Sequence, residues 1–485
     1  MRNTGFNAYL TVYLSLVFTV VLSLILALVE GATIGASRAQ AEIVADLGLD
    51  SAFAEYNREI LKQYELFFVD TSYGDEYGGI GEVREHIKNY MEYNMQSDKG
   101  LSIAGTTYLM LDNPHLEIEE VSYASDKNGD VWKSQAIAYM KAVYGGDLIS
   151  SIKNNINIAN ENQLFTKNIK EDVLKQKEDF EEILSKKGIV EYSSESEDGY
   201  SYEKLTDMLD YLTGEGILSL VMPEGKAISN KYTDKNKYLS HRISTGKINK
   251  GAGLHKGVKV PSGIDDELIY GEYLMKMCGN YANEKADGEL KYQIEYILFG
   301  NDSDVSNLRV CAEKLFAFRS VSNYLYLSND YLKRKEVSVI STILCALLLS
   351  PELSDALTNI ILGVWAMAEA IIDIKGLLCG ESVPLMKDSS DWNLSLSSIF
   401  FKDISQTNTG SDGLSYEDYL RVFLGLMDSK EKVIRSLDIV EMDIRKAEGN
   451  ETFRIDRCID YMRVNFGFSD ARGHEFVFSR SMCFD

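Results

Sequence analysis

Two carboxylates four residues apart, Glu369 and Asp373, are the first candidates for chemistry in this sequence. Residues with this spacing share one face of a helix, so the two side chains could act as an acid–base pair or bind a metal ion. The neighbouring sequence contains no histidine and no third carboxylate. We therefore predict that the pair lies on an exposed helix edge and has no catalytic role.

Residues that bind metals or carry redox chemistry are sparse. The five histidines are too far apart in the sequence for an HExxH zinc motif. The six cysteines form no CxxC pair, which argues against a zinc ribbon and against a small disulfide scaffold. We predict buried thiols, although an even number leaves disulfides open for a surface protein. The sequence predicts no catalytic residue, no metal and no cofactor.

A basic stretch interrupts an otherwise acidic chain. From Lys226 to Lys259 there are nine Lys or Arg residues and one acid, Asp234. The stretch could bind a polyanion such as a wall polymer, although we favour a solvated loop or one docked on the protein itself. The candidate residues for polyanion binding are Lys235, Lys237, Arg242, Lys247 and Lys250.

The composition limits the class of protein. The chain has 485 residues, of which 45% are hydrophobic, so it can bury a large core. The 50 basic and 74 acidic side chains give a net charge of -24, which repels nucleic acid. We expect no nucleic-acid partner.

The N-terminal region predicts a membrane anchor. No charged side chain occurs from Asn3 to Val29, a run longer than the roughly 20 residues that cross a bilayer as a helix. Arg2 precedes the run and acids follow it, so we predict a short cytoplasmic end at 1–8, a transmembrane helix at 9–30 and an extracellular bulk. A cleaved signal peptide is the alternative, but the small residues at 39 and 41 lie well beyond the run.

Small residues recur every four positions in this run. They form one ridge along a helix, which would let a partner helix approach closely, as in GxxxG motifs. The alternative is that the hydroxyl groups only bond to carbonyls of their own helix. The ridge consists of Thr11, Ser15, Thr19, Ser23, Ala27 and Gly31.

The remaining chain predicts a helix-rich α+β fold. We expect a stalk helix at 31–70 that continues to about Phe67, an α/β head at 71–145, a variable insertion at 146–262, and a helical domain at 263–485. A turn at Asn128-Gly129, a buried helical hairpin at 337–378 and a capping box from Ser415 are predicted within it. The alternating end of the chain predicts a strand that pairs with residues 116–124 in an antiparallel sheet.

Several stretches resemble a known family. "TVYLSLVFTVVLSLILALVEGA", "DSAFAEYNREILKQYELFFVD", "EYILFGNDSDVSNLRVCAEKLFAFR" and "GLSYEDYLRVFLGLMD" are similar to Gram-positive surface proteins of unknown function that are associated with tight-adherence (Tad) pilus loci. That family resembles minor pseudopilins of the TadE and TadG type. The resemblance implies a pilin-like layout, in which a long N-terminal helix is backed by an antiparallel sheet. Gly5-Phe6 fits a prepilin cleavage site, but Leu10 stands where prepilins have glutamate.

These observations lead to one functional prediction. We expect a membrane-anchored, extracellular accessory protein of a Tad-type pilus, which acts in assembly or adhesion through helix packing. Its partners would be other pilus or assembly subunits of the membrane, together with membrane lipid. The alternatives are an extracellular enzyme that acts on wall material and a structural surface protein unrelated to pili. We do not expect an enzyme, because GxSxG and HExxH are absent.

Overall fold

A computed structural model describes residues 4–95, 102–103, 106–107, 111–144, 149–190, 192–214, 216–223, 225–256, 258–404 and 413–484 of the chain. The chain is 61% helical and has a small antiparallel sheet, which confirms the helix-rich α+β class. It divides into two compact units. The first unit comprises residues 1–135, 247–260 and 444–485, and the second unit comprises residues 136–246 and 261–443.

The first unit holds the strands and the longest helix. Its elements are α1 (Thr4–Phe53), α2 (Arg58–Tyr64), α3 (Ile80–Met95), β1 (Val69–Asp70), β2 (Ser102–Ile103), β3 (Thr106–Thr107), β4 (Leu111–Tyr123), β5 (Cys458–Asp470) and β6 (Glu475–Cys483). The sequence also predicts a strand in "LSIAGTTYLML", at 101–111, of which residues 101, 104–105 and 108–110 lie outside the described residues.

The remaining helices lie mainly in the second unit. They are α4 (Asp126–Tyr144), α5 (Ser150–Glu161), α6 (Ile169–Lys186), α7 (Tyr202–Gly214), α8 (Ile217–Val221), α9 (Leu239–Ser244), α10 (Ile264–Met277), α11 (Gln293–Phe299), α12 (Asp304–Asn329), α13 (Tyr331–Leu347), α14 (Ser354–Cys379), α15 (Ser398–Phe401), α16 (Tyr416–Leu426) and α17 (Ser429–Ile444). Before the regular part of α4, Lys127, Asn128 and Gly129 have positive φ, which confirms the predicted turn.

Strand β5 is the centre of the sheet. It pairs antiparallel with β4 on one side, where Val464 faces Ile118, and with β6 and β1 on the other. The prediction that the last strand pairs with residues 116–124 is therefore wrong, because β5 takes that place. The alternation of Met462, Val464 and Phe466 with polar residues is the sequence signal for β5 that was missed.

The C-terminal half of α1 forms the core of the first unit. Ala45 and Leu49 are buried together with α3 and with β5 residues such as Val464. Gly48 lets α1 and α3 approach closely, because a Cβ atom at this position would lie 3.0 Å from Met91 Cγ. One face of the sheet and two helices thus share a single apolar core.

Helix α1 ends earlier than the sequence suggested. It ends at Phe53 and not near Phe67. Asn57 starts a new helix, since its side-chain oxygen accepts hydrogen bonds from the backbone N–H groups of Glu59 and Ile60 at 3.0 and 3.1 Å. The capping side chain of Asn57 therefore favours the start of a separate helix, α2, over continuation of α1.

In the second unit, α13 and α14 pack together as the predicted hairpin, but only α14 is buried, because α13 buries one face and leaves Val339 and Ile343 exposed. In the apolar segment Pro351–Cys379, 94% of the most apolar 18-residue window is buried, so α14 is a core helix. The sequence predicts Ser354 as the N-cap of α14, but Ser354 is the first residue of the helix and Leu353 is its N-cap. The helix ends at Cys379, and Gly380 follows it as the C-cap in a left-handed conformation (φ 93°). The capping box of Ser415 and Asp418 at the start of α16 is confirmed.

Candidate functional site

The N-terminal half of α1 is an exposed apolar surface. The helix is long and apolar enough to span a membrane, and its most apolar window has none of its residues buried within the chain. Large side chains such as Tyr9, Phe18 and Leu28 are each at least 65% exposed. An apolar surface of this extent is unfavourable in water and is stabilised by lipid or by another apolar helix.

The hydroxyl groups of the predicted ridge bond to their own helix. Ser15 donates to the carbonyl of Val12 at 2.9 Å, and Ser23 donates to that of Val20 at 2.8 Å. Thr19 donates likewise to the carbonyl of Ser15 at 2.8 Å. These contacts match the alternative interpretation of the ridge. These three hydroxyl groups therefore need no hydrogen-bond partner on another helix, and the ridge remains a line of small side chains.

The candidate polyanion-binding residues separate into two groups. In the second unit, Arg242 forms a partly buried ion pair with Glu441, Lys235 lies 3.5 Å from Asp302, and Lys237 lies 4.0 Å from Asp234. The pairs with Glu441 and Asp302 match the interpretation of a stretch docked on the protein, whereas Asp234 belongs to the stretch itself. The other two residues, Lys247 and Lys250, belong to the first unit and are exposed.

The end of the basic stretch lines a polar cavity of the first unit. This cavity, of about 600 Å3, lies on the face of β5 and β6 that does not contribute to the core. The His255 ring stacks on Tyr461 with centroids 4.7 Å apart, and Lys256 also lines the cavity. Arg463 reaches Glu119 at 3.2 Å, so its charge is balanced within the sheet.

Glu369 and Asp373 are buried, which corrects the prediction of an exposed edge. Both side chains have 0% exposure, and Lys387, from the segment after α14, forms ion pairs with both. Arg319 of α12 donates from Nε to Asp373 Oδ2 at 3.0 Å and is also fully buried. Two cations thus neutralise two carboxylates inside the protein.

The hydrogen bonds of this four-charge cluster are extensive. Arg319 Nη1 donates to the carbonyl oxygens of Pro384 and Leu385 at 2.7 and 3.0 Å, which fixes the segment that carries Lys387. The backbone N–H of Leu394 donates to Glu369 Oε2 at 2.8 Å. This arrangement of matched charges joins two helices to a loop and is structural in character.

The electrostatics of Asp373 follow from these contacts. Burial by itself would raise its pKa, but the charges of Arg319 and Lys387 outweigh burial and hold the pKa below its ordinary value. The carboxylate is therefore ionised at neutral pH and depends on both cations.

A further buried carboxyl group, that of Glu295 on α11, was missed by sequence reasoning. Its Oε1 accepts hydrogen bonds from the Tyr281 N–H at 2.9 Å and from the Tyr416 hydroxyl at 2.7 Å, whereas its Oε2 has no hydrogen-bond partner. The Tyr416 oxygen also lies 3.3 Å from Cys311 Sγ. Burial raises the pKa of Glu295 to about 7.

The cysteines agree with the prediction at four of six positions. Cys278, Cys311, Cys345 and Cys458 are buried, Cys483 is half-buried and Cys379 is exposed, and all six are free thiols. Within the described ranges, no group of three or more His, Cys, Asp or Glu side chains could hold a metal ion.

The fold and these sites define a class: a helix-rich α+β protein with an N-terminal helix long and apolar enough to span a membrane. The chain belongs to a family of unknown function, DUF5702, whose model matches residues 194–470, more than half of the chain. This range includes the four-charge cluster and β5 but not α1. No curated protein and no solved structure matches the chain.

Proposed function

We propose that this protein is a membrane-anchored, extracellular accessory component of a Tad-type surface pilus, similar to a minor pseudopilin. The observation that carries the proposal is α1, a single helix whose N-terminal half is exposed and apolar and whose C-terminal half packs under an antiparallel sheet. A pilin-like subunit requires this combination of a bare apolar helix and a folded head. The resemblance of the N-terminal stretch to Gram-positive surface proteins associated with Tad pilus loci supports the same function.

The orientation belongs to this proposal. Arg2 lies before the apolar run, whereas Glu30 and further acids follow it, so the positive-inside rule places the N-terminus in the cytoplasm. Both compact units would then be extracellular, and the ridge of small residues would face a helix of another pilus or assembly subunit.

Shearing native cells tests the location. Filaments, membranes and medium are separated, and the N-terminus of the protein in each fraction is determined by peptide mass spectrometry. We expect the protein in the filament or membrane fraction. An N-terminus at Phe6 in filaments would identify a processed pseudopilin despite Leu10, whereas soluble protein in the medium, cleaved after residue 41, would refute the anchor.

Helix packing is tested with two sets of substitutions in the ridge. Leucine in place of Ser15, Thr19 and Ser23 adds bulk to the ridge, and we expect it to abolish co-purification of pilus subunits without preventing membrane insertion. Alanine at the same three positions is the matched control, because it removes the hydroxyl groups but keeps the ridge small. Undiminished recovery of partners with the leucine variant would rule out the ridge as an interface.

A further inference from the structure

The second unit contains an apolar cavity that the proposed function does not use. Its volume is about 340 Å3, near the lower end of the range for ligand pockets. Helix α12 forms one wall, and the end of α16, the end of α11 and the turn after α5 form the others.

The cavity has an aromatic wall that opens to solvent. The rings of Phe165 and Phe318 lie with centroids 4.8 Å apart, and Phe423 lies 5.6 Å from Phe165. Phe165 is 42% exposed and Leu426 is 37% exposed, so apolar surface remains uncovered at the cavity. Uncovered aromatic surface in a concave site is favourable for binding an apolar ligand.

Two lysines complete the lining. Lys167 and Lys314 are exposed, line the cavity, and have no ion-pair partner in the described part of the chain. They are also the only polar side chains among the described residues of the lining. In a chain of net charge -24, two unpaired cations beside an apolar cavity favour an anionic group at this position.

We propose that this cavity binds a single acyl chain with an anionic head, of the fatty carboxylate class. The chain would lie against Phe165, Phe318 and Phe423, and the carboxylate would interact with Lys167 and Lys314. A peptide fits less well, because its backbone N–H and C=O groups would have no hydrogen-bond partners among apolar side chains. A fatty chain has no such groups.

Photolabelling tests this proposal on the full-length protein in lipid nanodiscs. The probe is dodecanoate that carries a diazirine, and labelled peptides are located by mass spectrometry. We expect labels in peptides that contain 164–167, 314–318 and 423–427. Dodecanoate should compete with the probe, whereas methyl dodecanoate, which has no charge, should compete about tenfold less well. Labelling confined to residues 9–30 would overturn the proposal, as would equal competition by the ester.

Substitutions separate the roles of the cavity and of the charges. Ala317→Trp fills the cavity and should reduce labelling at least about tenfold, with Phe165→Ser as a second variant at an exposed position. Lys167→Gln with Lys314→Gln should reduce labelling about five- to tenfold. Lys175→Gln with Lys335→Gln, which changes two exposed lysines elsewhere, is the matched control and should label like the wild type.

Two results would contradict the binding mode. Labelling that survives both Ala317→Trp and Phe165→Ser would show that the acyl chain does not occupy the cavity. A photoreactive benzoylphenylalanine at position 165 that cross-links to a protein partner, without any labelling by the fatty acid probe, would assign the surface to a protein in place of an acyl chain.

Discussion

Removing Arg319 tests how strongly the stability of the protein depends on the equal number of cations and carboxylates in the four-charge cluster. Arg319→Met deletes a fully buried cation that donates to Asp373 and to the carbonyl oxygens of Pro384 and Leu385. Breaking a buried ion pair from one side costs about 3–5 kcal/mol, because the remaining charge is left without compensation. A domain has a free energy of unfolding of about 5–15 kcal/mol, so the loss is a large fraction of the total.

Two further variants should lose less unfolding free energy than Arg319→Met. Arg319→Lys keeps the charge but loses the planar fork, and we expect a smaller loss of about 1–3 kcal/mol. Combining Arg319→Met with Asp373→Asn restores the balance, since Lys387 then faces Glu369 alone. We expect the double variant to be more stable than Arg319→Met.

Urea unfolding followed by tryptophan fluorescence provides the assay. The chain has three tryptophans, and Trp365 and Trp392 pack together near the cluster with ring centroids 5.3 Å apart. A Trp132→Phe background therefore restricts the signal to the second unit. Arg319 and Lys387 hold the pKa of Asp373 low, so removing Arg319 raises this pKa. Protonation of Asp373 then relieves the unpaired charge in acid, and the loss of unfolding free energy in Arg319→Met should be smaller at pH 4 than at pH 8. A loss below about 1 kcal/mol, or no recovery in the double variant, would refute the argument that these charges depend on one another.

Two other predictions concern single positions. Burial raises the pKa of Glu295 from 4.5 to about 7. The stability that its protonated form contributes is therefore fully present below pH 4.5 and is lost as the pH rises through 7, which lowers the free energy of unfolding by about 3 kcal/mol. Glu295→Gln should remove this part of the decline in urea midpoint between pH 5 and pH 8, and an unchanged decline would contradict it. Gly48→Val should destabilise the first unit by about 1–3 kcal/mol through contact with Met91, as read from Trp132 fluorescence. Gly35→Val is its control, since a Cβ atom there meets nothing within 4 Å, and equal losses at the two sites would argue against the clash.

The sequence predicted those features whose signals are local. The capping box at Ser415 and the turn at Gly129 each depend on residues within one or two turns of chain, and both are present. The burial of α14 was also predictable, because its sequence is apolar on nearly all sides, which is typical of a core helix, whereas the exposed face of α13 was not predicted.

Features that depend on distant residues were not predictable in this way. Asp373 is separated from Arg319 by 54 positions, so no local pattern shows that its charge is compensated, and an exposed edge was the natural expectation. The pairing of β5 between β4 and β6 was missed for the same reason, since register depends on strands far apart in the sequence. Glu295 had no sequence signal beyond its apolar neighbours.

The hydrogen bonds within α1 limit the interactions that the ridge of small residues can make with a partner helix. Ser15, Thr19 and Ser23 already donate to carbonyls of their own helix, so an approaching helix gains no hydrogen bond unless one of these bonds is given up. What remains is shape, because small side chains on one line allow close backbone contact and more dispersion attraction. Partner recognition through this surface would therefore depend on side-chain size and not on polarity, which is why the alanine and leucine variants should behave differently although both remove the same hydroxyl groups.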